Sequence, residues 1–548
     1  MLLLPITREL RESDLAQQAD IIVIGGGSAG MAMAVRLAEA GKRVTLVEAG
    51  KSHKDIRSAV PALMSGIVHT PDFDWMYKAE PDASVGGRPD VWPAGKRLGG
   101  GSSINGMMFI RGHSYDYDRW AQLGASGWDY ASVLPYFRRM EDNERGADDY
   151  RGQGGPIAVS EVRSRYDVTD HWIDAVQQAG FPRSPDLNGQ HNEGVDYIQL
   201  SQRAGLRSST AAGYLKNKPA SLEILLEAQV HKIEITDGRA SGVTLKRAGA
   251  LITLTASEGV VLCAGALNTP RLLMLSGIGP ADHLREHGID VVVDAPGVGR
   301  NLQEHPGVHL VNEVAAHTLN DDSRGLAGVR SVLKFLFARK GALTTGIGHA
   351  QAFVRTREGL DAPNIQLAFS AFAFDVTPTG NLELRKESSV STFVALMRPE
   401  ARGRLTLASA DPAAPPRIEH QLLGEAEDEA QLIEGLEIAR RIMAQAAIAG
   451  EVTSEVRPGA AAVGAEALTP YVRAATIPMY HPVGTARMGA ADDPMAVLTP
   501  DVRVKGVDGL WVADASIMPT IPQGNTNATA IMIGERASAL VLEGLKQG

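Results

Sequence analysis

The first strongly patterned stretch, ADIIVIGGGSAGMAMAVRLAEAGKRVTLVEAG, opens with four consecutive β-formers, Ile21 to Ile24. An unbroken apolar run of that length predicts a strand buried on both faces, as parallel strands are. The next segment, MAMAVRLAEA, has helical character and stops at Gly41, and Val44 to Val47 forms a second apolar strand that ends in Glu48. Between 218 and 265 short apolar or alternating runs (LEILLEAQVHKIEI, RASGVTL, LITLTA, EGVVLCAGAL) are separated by turn residues such as Asp237-Gly238, which predicts a set of strands. AGALNTPRLLMLSGIGPADHLREHG reads as a strand end, a turn and helices broken by Pro280. Further strands are expected near 349–355, 364–372 and 390–396, with an amphipathic helix at 425–446. A buried strand in GLWVADASIMPT precedes a final helix in TNATAIMIGERASALVLEGL. There are no repeats and no low-complexity tract.

The first unit carries chemistry. Gly25, Gly27 and Gly30 stand in G-x-G-x-x-G spacing between strand and helix, and Glu48 follows 18 positions after the third glycine. Glycines let the backbone turn tightly and approach a pyrophosphate, the helix N-terminus supplies free N–H groups, and the acid accepts from a ribose hydroxyl. A glycine turn that only closes a helix on a sheet is the competing reading. A second unusual segment, WPAGKRLGGGSSINGMMFIRG at 92–112, has three consecutive glycines, Gly99 to Gly101, whose amides could wrap another part of a large cofactor. Arg97 within it could pair with phosphate or lie exposed.

Bulk properties narrow the class. At 548 residues, a length prior gives roughly three or four domain-sized units. The net charge of -10 leaves no footprint for nucleic acid. A single cysteine, Cys263, excludes an internal disulfide and reads as strand packing. The apolar start MLLL is too short for a signal peptide, and no stretch reaches the ~18 to 20 apolar residues of a membrane span. The expectation is a cytoplasmic protein with a flexible arm over 1–18, peripheral association with the inner membrane left open. HLREH at 283–287 matches a zinc pattern, but Gly288 frays the helix and no third ligand is evident. His305 and His309 share the spacing, yet Pro306 and Gly307 between them argue against a helix. No metal is expected.

Taken together, the N-terminal unit, GKRLGGGSSINGMMFIRG, GALNTPRLLMLSGIGP, PGVGRNLQEHP, YHPVGTARMG and VADASIMPTIPQGNTNATAIMIGERAS resemble the glucose-methanol-choline oxidoreductases over about residues 19 to 545, closest to choline-dehydrogenase-like and bacterial alcohol dehydrogenase members. The resemblance implies an α/β (α+β overall) fold: a discontinuous Rossmann-like FAD-binding domain (19–160, 205–310 and 470–548) interleaved with a substrate domain of antiparallel sheet plus helices (161–204 and 311–469). It implies that Gly25, Gly27, Ser28, Ala29 and Gly30 hold the FAD pyrophosphate, Glu48 and Ala49 the adenosine ribose, and that Val230 lies near the adenine. Gly100, Gly101, Ser102, Asn105, Gly106 and Met107 would run along the pyrophosphate and flavin ring. Trp92, Arg97, Ala264, Gly265, Asp514, Ala515 and Thr526 complete the cofactor set. Some members tether FAD through a histidine where this chain has Ile104, so noncovalent FAD is expected.

By the same resemblance His481 is the active-site histidine and Asn525 the second catalytic position. Pro482 keeps His481 out of helical geometry, and a neutral imidazole with a pKa near the working pH would take the hydroxyl proton while Asn525 donates to the substrate oxygen. Asn525 reads equally as an N-cap of the last helix. Asp514 also suits an N-cap, and Tyr480 either cavity wall or core. Phe369, Phe372 and Phe374 suggest apolar pocket walls for a primary alcohol, although such stretches are also core. Three readings follow: an alcohol dehydrogenase passing electrons to a quinone or other acceptor, an oxidase using O2 and making H2O2, and a non-redox cyanohydrin lyase. The oligomeric state is open.

Overall fold

A computed structural model describes residues 19–376 and 382–547; the expected N-terminal arm lies outside these residues. The strands of its two large sheets are, in chain order, β1 (Ala19–Ile24), β2 (Val44–Val47), β3 (Gly194–Tyr197), β4 (Leu222–Leu225), β5 (Ala228–Thr236), β6 (Arg239–Arg247), β7 (Ala250–Leu262), β8 (Pro306–Val314), β9 (Ala350–Val354), β10 (Ile365–Ser370), β11 (Ser389–Leu396), β12 (Val452–Arg457), β13 (Ile477–Pro478) and β14 (Leu510–Val512). The helices that matter below are α1 (Ser28–Glu39), α2 (Gly325–Ala338), α3 (Ala426–Met443) and α4 (Asn527–Gln547).

The first sheet runs β4-β2-β1-β7-β6-β5, with β14 also on β7. Its β4, β2, β1, β7 and β14 contacts are parallel, whereas β5, β6 and β7 form an antiparallel meander. The 13-residue β7 makes this possible. Its first half pairs β6 and its second half, from Ala256 on, pairs β1 and β14. Asp237 and Gly238 both have positive φ, +50° and +77°, as the two-residue turn between β5 and β6 demands.

From Ile21 to Ile24 β1 is apolar because both of its faces are covered, and Ile21, Ile22 and Val23 have no exposed surface. α4 lies on α1 so closely that a β-carbon at Gly534 would sit 2.2 Å from Ala29 O. The buried Glu535 of α4 accepts from Arg36 Nε (2.9 Å), Arg139 Nε (2.5 Å) and the Tyr214 hydroxyl (2.5 Å), which fixes α4 across the body. Removing one partner of such a buried network would leave an uncompensated charge.

The second sheet is antiparallel, in order β12-β8-β11-β10-β9-β3 with the two-residue β13 added to β8. α3 packs its Leu432, Leu436, Ala439 and Ile442 side against this sheet, in a core separate from that of the first sheet. Among the described residues no helix is long and apolar enough to cross a membrane.

Candidate active site

Segments distant in sequence converge at the N-terminus of α1. Gly25 has φ +98°, and a β-carbon there would lie 2.5 Å from Cys263 O; one at Gly30 would lie 1.9 Å from Gly25 O. Only glycine closes this strand-to-helix turn. The second glycine loop rests directly on it. Gly99 N donates to Gly26 O (2.6 Å), and a β-carbon on Gly100 (φ +52°) would stand 2.7 Å from Gly27 Cα.

No side chain caps α1 at Gly27, so its first-turn amides are free of a side-chain acceptor. Ser28 Oγ donates to Asn527 Oδ1 (2.7 Å), which brings the N-terminus of α4 beside that of α1 and aims two positive helix ends at one region. Glu48, buried at the end of β2, accepts from Gly26 N (2.9 Å) and Gly50 N (2.6 Å), and burial raises its pKa. Amide donors, bare glycine surfaces and an accepting carboxylate at the second strand are the groups a dinucleotide requires.

The loop above is held from beneath by a residue that the sequence reading missed. Arg207 Nε donates to Ser58 O (2.8 Å), and its Nη1 donates to Ser102 O (3.1 Å), Asn105 O (2.7 Å) and Asn105 Oδ1 (2.8 Å). Burial pulls this guanidinium down to about 9. Asn105 Oδ1 also accepts from Met107 N (3.0 Å), fixing Met107 at φ +66°. Ile104 packs away with Ile67 and Phe73.

At the other end, strand register creates a second cluster. Pro306 of β8 pairs with Pro478 of β13, so the residues flanking these strands, 302–305 and 479–483, run antiparallel: Met479 N donates to His305 O, and Gln303 bridges Val483. Tyr480 takes φ +65°, and this kink turns His481 toward His305. The two rings meet edge to face with Nδ1···Nδ1 at 3.1 Å. The Glu304 carboxylate accepts from His481 N (2.7 Å) and His305 N (2.8 Å), fixing both backbones. Asn525, two residues before α4, places Nδ2 3.1 Å from His481 Nε2, while its Oδ1 is buried without a hydrogen-bond partner.

This geometry assigns the protons. An amide nitrogen donates, so His481 Nε2 accepts and its proton sits on Nδ1, from where it is donated to His305 Nδ1. A pKa near the working pH does not result. Burial with no anion facing the ring holds His481 down at about 3 and His305 well below its ordinary value, while burial pushes Glu304 up to about 8. Glu304 was not singled out from the sequence, and His305 was weighed there only as a partner of His309; the available signal was the His-Pro dipeptide, which occurs at both His305 and His481.

The other expected residues distribute unevenly. Asn525 is not the N-cap of α4, which begins two residues later; the main-chain carbonyl of Thr526 accepts from Ala530 N. The Asp514 carboxylate accepts from Ser516 N, Gly265 N and Thr269 Oγ1, so it caps the short turn at Ala515 and ties the Ala264-Gly265 loop to it. Gly101 and Gly265 carry open space where a β-carbon would be.

Arg97 donates to Ser52 O (2.5 Å) and lies 3.9 Å over the Phe73 ring, leaving Nη1 buried without a partner. Ala49 is half-buried after β2, Val230 is buried on β5 opposite Leu245, and Trp92 is buried against His420. Tyr480 stays 42% exposed, and burial by the surrounding protein pushes its phenol up to about 12. Phe372 and Phe369 belong to the second core; Phe372 meets His349 and Phe374, and Phe369 stacks on Trp172 at 4.9 Å. The aromatic run is packing, because strands buried on both faces show the same apolar pattern as a cavity wall.

His283 Nε2 accepts from Leu407 N, which removes one ring nitrogen of the HLREH segment from ligand duty. His309 of β8 faces Phe393 of β11. Among the described residues no three His, Cys, Asp or Glu side chains gather to hold a metal.

Comparison with known proteins gives one family. The GMC oxidoreductase profiles match residues 19–307 and 399–534. The chain is 39% identical to an oxygen-dependent choline dehydrogenase of Brucella canis over 528 residues, 96% of each chain, and 38% identical to one of Rhizobium johnstonii over 534 residues with the same coverage. Among solved structures it resembles pyridoxine 4-oxidase from Mesorbium loti (28% identity, TM-score 0.85, 95% of this chain and 99% of that one). It also resembles an Aspergillus oryzae formate oxidase variant studied for FAD modification (27% identity, TM-score 0.88, 97% and 99%).

Proposed function

The chain belongs to the GMC oxidoreductase family, and on that footing we propose that it is an FAD enzyme oxidising a primary alcohol to an aldehyde, with His481 as base and a quinone or similar acceptor taking the electrons. The observation that carries the reading is the pair formed by His481 Nε2 and Asn525 Nδ2, 3.1 Å apart in a chain whose glycine turn fits a dinucleotide. FAD, when bound, supplies the two-electron acceptor for the hydride that leaves the alcohol carbon. Gly25, Gly27, Ser28, Ala29 and Gly30 with the α1 N-terminus would hold its pyrophosphate and Glu48 a ribose, and the Gly100–Met107 loop would flank the rest. Ile104 in place of a tethering histidine makes the cofactor dissociable, so acid precipitation should release all of the yellow colour.

The chain's own residues handle the proton. A hydroxyl entering between the two side chains donates its proton to His481 Nε2, and Asn525 Nδ2 donates to the oxygen left behind. Burial keeps Nε2 bare at neutral pH. The charge forming on the substrate oxygen is then the anion that the imidazolium lacks in the free protein, so the base strengthens as the reaction proceeds. Donation from His481 Nδ1 to His305 holds the ring in place meanwhile. Such positioned proton transfer contributes about 10² to 10⁴-fold.

An uncharged alcohol suits the cluster better than a quaternary ammonium, because the Glu304 carboxylate is engaged by backbone N–H groups. The names of the relatives favour O2 as an alternative acceptor. The test is an anaerobic panel of alcohols scored by flavin bleaching. Bleaching by an aliphatic or aromatic alcohol, with oxygen uptake absent on readmitting air, supports the dehydrogenase. Purified protein that is colourless and cannot be reconstituted with FAD removes the reading.

A further inference from the structure

α2 turns its apolar residues outward. Its buried residues are Ser331 and Phe335 alone, while Leu326, Val329, Val332, Leu333, Leu336 and Phe337 are exposed, Leu326 and Phe337 at 89% and 87%. At about 100° per residue the two buried positions anchor one side of the helix and the exposed six share the opposite side. Arg330 and Lys334 border that stripe, and Arg324, Arg339 and Lys340 stand at its ends. The stretch 324–340 holds these five cations and no acid, in a chain whose net charge is -10. An apolar stripe edged by cations has the composition of a helix that lies in a membrane interface.

We propose that α2 docks the protein on an anionic phospholipid bilayer, its apolar stripe among the acyl-chain ends and Arg330, Lys334 and Lys340 on the lipid phosphates. Charge decides between this occupant and a second copy. Antiparallel pairing of α2 with itself would set Arg330 and Lys334 beside the same cations of the other chain, whereas lipid phosphates neutralise them.

Position gives the docking a purpose. The chain after α2 makes a single turn at Ala342–Thr344 that packs against the turn Pro61–Gly66, where Leu63 is 41% exposed. Ile347, 40% exposed, then lies against Gly106, close enough that a β-carbon there would meet it at 2.4 Å. The apolar edge therefore leads to the Asn105–Met107 loop. If the function proposed above holds, apolar alcohol or acceptor would reach that loop from the lipid phase.

The test is co-sedimentation of the purified holoenzyme with phosphatidylglycerol–phosphatidylethanolamine vesicles and, in parallel, with phosphatidylcholine vesicles. Wild-type protein should pellet with the anionic vesicles and several-fold less with the neutral ones. Leu333→Glu/Phe337→Glu should lower the partition coefficient at least about tenfold, and Arg330→Glu/Lys334→Glu or high salt should lower it several-fold. Turnover of both variants with a water-soluble dye should equal that of wild type. Wild-type protein left in the supernatant overturns the proposal. So does a lipid-free wild-type dimer that Leu333→Glu/Phe337→Glu splits, because the stripe would then belong to a second copy. Protein that binds vesicles but oxidises no alcohol keeps the docking and removes the functional reading instead.

Discussion

Acidification should unfold this protein well before its carboxylates are all protonated, because four histidines are buried neutral. His481 and His349 are held down at about 3, and His420 and His309 at about 4, all chiefly by burial. The sign follows from the depressed values. In the unfolded chain each titrates near 6.5, so below that pH the unfolded state binds protons the native state refuses, and stability falls with pH through the window from 6.5 toward 4. Between pH 7 and pH 5 each such histidine costs about 2 kcal/mol, roughly 7 to 8 for the four.

Glu304 acts in the opposite direction. Raised to about 8, it favours the native state as pH falls from 8 to 4.5, and returns about 2 to 3 kcal/mol over the same two units. The net loss is of order 5 kcal/mol, comparable with the whole stability of an ordinary domain at about 5 to 15. The assay is urea unfolding followed by tryptophan fluorescence at pH 7, 6 and 5, with proton uptake on unfolding measured at pH 5.5. The midpoint should drop steeply, and about three protons net should be taken up. A midpoint that is flat or rises between pH 7 and pH 5 refutes the assignment of buried neutral imidazoles.

Further substitutions test the loops and the amide. Gly100→Ala, which drives a β-carbon to 2.7 Å from Gly27 Cα at φ +52°, should weaken FAD binding at least about tenfold by cofactor titration while the fold survives. Arg207→Met leaves the carbonyls of Ser58, Ser102 and Asn105 without their donor and should destabilise by about 3 kcal/mol in denaturant titration. Asn525→Leu removes the amide 3.1 Å from His481 Nε2 that is proposed to donate to the substrate oxygen, and should lower kcat/KM about 10 to 100-fold with FAD retained. An unchanged value for any of the three would remove the role given to that residue.

Much of this was legible because it is local. The strand-glycine-helix-strand unit at 19–48 and the turn at Asp237-Gly238 follow from residue-by-residue φ preferences and burial, which neighbours in sequence decide. The second cluster is a product of register. His305 and His481 are 176 positions apart, and only the Pro306–Pro478 pairing brings them together, so spacing rules that tested His305 against His309 asked about the wrong partner. Apolar strings such as Ile365–Ser370 mark a strand buried on both faces without saying what covers them, and Phe369 and Phe372 proved to be core. A buried arginine such as Arg207 has no sequence signature, since its partners are backbone carbonyls from distant loops.

His481→Ala, followed by anaerobic stopped-flow flavin bleaching with a substrate alcohol, addresses the base directly. The variant should bind FAD with a normal flavin spectrum and bleach at least about 100-fold more slowly, a barrier increase of about 3 to 5 kcal/mol if the full range of such transfers applies. Bleaching at the wild-type rate would contradict the proton transfer to His481 Nε2 on which the account is built.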